Sequence, residues 1–103
     1  MRKLTAAELD AMVAEAIVDA YDAYEQLGAF HAVIDDRLAL PFDTTVLGAA
    51  VTVTAVQLRP GSGVVALCKR GRHRQAIGIL DLPPPEPTPQ GWAWVEAYRH
   101  WAP

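Results

Sequence analysis

From residue 5 to residue 27, apolar side chains recur every three or four positions. Leu9, Met12, Val13, Ala16, Ile17, Ala20, Ala23, Tyr24 and Leu27 gather on one broad face at about 100° per residue, while Glu8, Glu15, Asp19, Asp22 and Gln26 form a stripe on another. The spacing predicts one amphipathic helix, with Glu25 beside the polar stripe. Thr5 and Glu8 form a capping-box pair at its start, which satisfies backbone N–H groups that have no partner within the helix. Gly28 fits a helix end or a bend. After it Phe30, Val33, Ile34, Arg37 and Leu38 repeat at helical spacing, with Asp35 and Asp36 on the more polar side. Pro41 drives Leu40 out of helical geometry, so this second helix stops by Ala39. The two make a helical hairpin over residues 5–40, with its acidic edges able to face each other.

At Asp43 the period shortens from helical to alternating. Thr44 to Leu47, Val51 to Leu58, Val64 to Cys68 and His73 to Leu80 read as four short strands, separated by Gly48, by Arg59-Pro60-Gly61-Ser62-Gly63 and by Gly71. Strands in series with tight turns predict an antiparallel meander over residues 43–82. Under a helical cap, a sheet this small curls most naturally into a partly open, SH3-like barrel. Residues 83–89, PPPEPTP, lack the donors a strand needs and run as an extended strap. In the terminal helix over residues 90–101, Trp94, Tyr98 and Trp101 fall at helical spacing and dock on the sheet. The fold class expected is α+β, in one domain spanning residues 1–103.

Composition narrows the classes. A chain of 103 residues, about half of them apolar, can close one core without staples. The lone Cys68 excludes an internal disulfide framework and a cysteine zinc site. Acidic residues from Glu8 onward interrupt any signal-peptide core, and no apolar run reaches the roughly 20 residues of a membrane span, so a cytoplasmic protein with no membrane partner is expected. The net charge of −3 conceals a division: residues 1–43 hold nine Asp and Glu against three Lys and Arg, and residues 44–103 hold three against six. Either the halves attract each other within the fold, or each faces a different partner.

The carboxylates admit two readings. Glu15, Asp19 and Asp22 repel one another at helical spacing, at about 0.2–0.5 kcal/mol per pair, unless solvent or a cation offsets them. They are a solvated face, or they join Asp35 and Asp36 as oxygen ligands for a hard cation such as Ca²⁺, which takes about six to eight. No EF-hand loop is present, and the chain contains no Asn.

The run Val18-Asp19-Ala20-Tyr21, then Glu25, Phe30, the pair Asp35-Asp36, Leu38 and Pro41-Phe42, resembles the small bacterial calcium-binding proteins of the CcbP type. The Gly48 to Val53 strand pattern, the segment LCKRGRHRQAIGILDLP from Leu67 to Pro83 and the tryptophan-rich terminal helix extend the resemblance over nearly the whole chain from about residue 15. It implies a cytoplasmic, non-EF-hand Ca²⁺ buffer or low-affinity sensor. Asp19, Glu25, Asp35 and Asp36 are then the implied ligands, with Asp22 and Glu15 as weaker additions. The chain departs from the family pattern at Ala49-Ala50, where an acidic residue precedes the strand in relatives, and this implies a weaker or absent site.

Other chemistry is sparse. Lys69, Arg70, Arg72 and Arg74 make a basic turn suited to phosphates, but a pI near 5.5 and the lack of a strand-borne aromatic platform argue against nucleic acid as a general partner. Ser62 has no assigned base, Cys68 lies in an apolar strand, and His31, His73 and His100 are scattered, so no enzyme is expected. Trp92, Trp94 and Trp101 either pack in the core or present a docking face. The alternative to calcium binding is thus a non-catalytic protein-interaction module with a merely solvated acidic face.

Overall fold

Helix formation begins where capping predicts. The computed structural model describes residues 3–103, and in it Thr5 accepts from the Glu8 N–H at 3.1 Å while the Glu8 carboxylate accepts from the Thr5 N–H at 3.1 Å. The first helix, α1 (Ala6–Ala16), then ends about three turns short of the sequence pattern, and α2 (Ala23–Arg37) starts afresh. The single helix expected over residues 5–27 is therefore two helices. The cause lies in Asp22, whose carboxylate accepts from the Glu25 N–H at 2.8 Å and caps α2, while Asp19 turns the chain with a φ of 64°. Breaking there also releases the like-charge spacing of Glu15, Asp19 and Asp22. Gly28 lies inside α2 and ends nothing. Leu38 leaves helical geometry at the C-terminal end, as Pro41 requires.

The sheet is antiparallel throughout, in the order β1 (Phe42–Val46), β2 (Ala49–Arg59), β3 (Gly63–Arg70), β4 (His73–Gly78). Each strand pairs with its sequence neighbour, and the sheet is open, with β1 and β4 at its edges. A register shift between Val53 and Ala55 bends β2. The last strand is shorter than its alternation suggests, because Ile79–Asp81 winds into a 3-10 turn that buries Ile79. Beyond the strap, α3 (Trp92–Trp101) completes the fold, giving the α+β class.

One buried cluster draws on all these parts. Phe30 and Ile34 of α2 lie fully buried against β2 and β3 together with Val53, Val56, Val64 and Ala66. Burying a side chain of this size stabilises by about 1.5–3 kcal/mol. The terminal helix packs mainly on α1, α2 and the 3-10 turn, not on the sheet. Its buried stripe is Trp92, Val95 and Tyr98, and Trp94 and Trp101 lie half-buried at its edges. Tyr98 touches β3 through one hydrogen bond, its hydroxyl accepting from the Val64 N–H at 3.3 Å. Phe30, Tyr98 and Trp101 form an aromatic group with centroids 5.2–6.0 Å apart. At the start of α3, Gly91 has a φ of 88° and lies so close to the Arg37 carbonyl that no side chain fits. This contact, with the Ala39 N–H donating to the Gln90 carbonyl at 2.8 Å, ties the end of the strap to the end of α2.

Candidate functional site

The carboxylates come first, because they carried the metal expectation. Asp19, Asp22 and Glu25 sit in the α1–α2 turn and the first turn of α2, and all three are exposed. Asp35 and Asp36 are exposed near the other end of the same helix, where Asp36 pairs with Arg37 at 3.2 Å. Ten residues of helix separate Glu25 from Asp35, a rise of about 15 Å. The five do not converge, and α1 lies mainly against α3, so two acidic edges do not face each other. Glu15 is exposed on α1. Among the described residues, no group of three or more His, Cys, Asp or Glu is arranged to hold a metal ion. The carboxylates of the implied ligand set thus fall at two separate places among the described residues, around the start of α2 and near its end. Asp22 has a structural task instead, as the cap of α2.

A different surface emerges from the strand register. Phe42, Val53, Cys68 and Gln75 stand side by side across the four strands, which defines the inner face of the sheet. Following that face away from the Val53–Cys68 row, the alternation places Val46, Ala49, Val51, Arg70 and His73 on it, and Ile77 shares the face on the other side of Gln75, opposite the buried Ala66. These residues line an open groove of about 510 Å³ together with Leu47, Cys68, Lys69, Arg74 and Gln75. Its floor is aliphatic and half-buried, and its far rim is cationic.

Two features of this groove run against the needs of folding. Lys69 stands directly opposite Arg74 in the β3–β4 ladder, on the face opposite Arg70 and His73 but at the groove's edge, and like charges facing each other across strands destabilise the pair. Among the described residues no ion pair relieves Lys69, Arg70, Arg72 or Arg74. Leu47 is fully exposed and holds a φ of 50° in the two-residue turn it shares with Gly48, at 79°. Such turns favour Asn, Asp or Gly, so an exposed leucine there gains nothing for the local backbone.

Cys68 marks the boundary between covered and open sheet. Burial pushes its thiol above the ordinary cysteine range, and its side chain packs in the core cluster. Ser62 sits exposed in the β2–β3 turn, and of the three histidines His100 contacts Asp10 at 2.7 Å while His73 lies at the groove. The basic turn was visible in the sequence. The floor beneath it was not, because its apolar residues read as ordinary core. No helix of the described residues is long and apolar enough to cross a membrane.

Comparison with family models, with curated proteins and with solved structures finds no match to this chain, so none of them bears on the resemblance to CcbP-type proteins.

Proposed function

We propose that this chain is a non-catalytic interaction module whose groove takes an acidic segment bearing aromatic or aliphatic side chains. One observation carries the reading: the apolar inner face of the sheet continues past the buried cluster into a groove of about 510 Å³ edged by cations that have no ion-pair partner among the described residues. An aliphatic floor rewards burial of a ring or a branched side chain, and the cationic rim steers and orients carboxylates beside it. The aromatic residues of α3 contribute to the core, so the docking surface is the groove and not the terminal helix.

A labelled peptide of alternating Asp and Tyr tests this by fluorescence anisotropy. Saturable binding is expected, weakened about tenfold by Arg70→Glu with Arg74→Glu. Equal binding by that double variant would refute the groove as the site.

Calcium binding, which the resemblance to CcbP-type proteins implies, is a second reading: Asp19, Asp22 and Glu25 are exposed around the start of α2 with no cation paired to them among the described residues, although they are not arranged as a ligand cluster. It belongs to that turn alone, with Asp35 and Asp36 as a separate pair. Ca²⁺ at about 100 times its Kd adds about 2.7 kcal/mol to stability. A melting temperature identical in millimolar Ca²⁺ and in chelator would remove this reading.

A further inference from the structure

Four large apolar side chains stand strongly exposed among the described residues: Val18, Tyr21, Tyr24 and Leu47. Three of them, at 68%, 82% and 75% exposure, belong to the α1–α2 turn and the first residues of α2, interleaved with Asp19, Asp22 and Glu25. The fourth is the leucine at the mouth of the cationic groove. One surface thus combines rings with carboxylates, and the other combines an aliphatic floor with guanidinium and ammonium groups. No ion pair joins the two within the chain among the described residues. Each is left with its charge and its apolar surface unmatched.

We propose that they match between molecules: the acidic, tyrosine-bearing α1–α2 turn of one copy docks into the groove of a second copy. This inference rests on the groove being a docking site, and it names the occupant. The tyrosine rings cover Val46, Val51 and Ile77, Asp19 and Glu25 meet Arg70 on the same face, and Arg74 adds its charge from the groove's edge. The opposite charges of the two halves of the sequence, −6 over residues 1–43 and +3 over residues 44–103, favour the head-to-tail arrangement over contact of like surfaces. Because the two surfaces differ, the contact is heterologous. Repeated, it gives a ring where the rotation closes and a filament where it does not.

Sedimentation velocity on the full chain tests the idea with two variants confined to exposed side chains. Tyr21→Ser with Tyr24→Ser removes the turn's rings, and Arg70→Glu with Arg74→Glu reverses the groove's rim. The wild type is expected to associate with rising concentration at low salt and to dissociate in about 1 M salt, where screening acts beyond about 3 Å. Each variant alone is expected to associate about tenfold more weakly. Mixed, they retain one intact turn and one intact groove, so a 1:1 dimer is expected that neither forms alone. Association unchanged by both variants, or a mixture no larger than its components, overturns the inference. A wild type that stays monomeric at low salt overturns it too. In that case, binding of the Asp-Tyr peptide assigns the groove to another protein's acidic segment, and absence of peptide binding refutes the module reading as well.

Discussion

Val53 and Val51 lie two residues apart on β2 and point to the same face of the sheet, yet they have opposite fates. Val53 is fully buried in the cluster that includes Phe30 and Ile34, whereas Val51 is half-buried on the floor of an open groove. The strand is the same, the side chain is the same and the alternation is unbroken. What differs is depth, since Val53 is a member of the buried cluster whereas Val51 packs only against its edge. An apolar residue on an inner face is therefore core at one end of a strand and the floor of an open groove at the other. The cations of the β3–β4 hairpin gather at the end left uncovered.

The sharpest way to test that contrast is to truncate both valines. Val53→Ala is expected to cost about 2–3 kcal/mol in denaturant unfolding and to leave the peptide affinity of the remaining folded protein unchanged. Val51→Ala is expected to cost less than half as much, with a clear loss of peptide affinity; equal costs would erase the distinction. Next in size is Leu47→Asn. The left-handed turn accepts Asn more readily, so stability is expected to rise by up to about 1 kcal/mol while peptide binding weakens. A gain in stability with unchanged binding would detach Leu47 from the site.

The smallest effect concerns Cys68. Its thiol ionises at a higher pH in the native state than in the unfolded chain. Above the unfolded thiol's pKa of about 8.5, the native state therefore retains a proton that the unfolded state has lost, and stability falls as pH rises. The denaturant midpoint is expected to drop more steeply between about pH 8 and pH 10 in the wild type than in Cys68→Ala. Parallel slopes would place the thiol in contact with solvent, and so on the open side of the boundary.

Much of this architecture was legible in residue types. Thr5 and Glu8 announced the first helix, and the β-branched alternation of Val51 to Leu58 announced the central strand. Pro41 marked the end of α2. The break at Asp22 was hidden, because an apolar period carried through residues 17–24 fits one continuous helix as well as two. A cap competes with helix continuation on local hydrogen bonds that periodicity does not register. The change of phase leaves Tyr24 exposed where an unbroken helix would have buried it. The same break decides the metal expectation, since it makes Asp22 a cap and leaves Glu25 and Asp35 at opposite ends of one helix. The basic turn was plain from Lys69 to Arg74, but the groove depends on where the buried cluster ends along β2, a tertiary fact that no spacing encodes. Leu47 was obscure for a further reason: leucine is not a turn residue, and its left-handed φ emerges only from the two-residue connection between β1 and β2.

Amide chemical shifts recorded while the Asp-Tyr peptide is titrated into the full chain address the central claim most directly. The expected result is a contiguous set of shifts over Val46 to Val51 and Lys69 to Ile77, with the buried end of the sheet and α3 quiet. Shifts centred on Trp94 and Trp101, with Val51 and Ile77 unmoved, would contradict it and return the docking surface to the terminal helix.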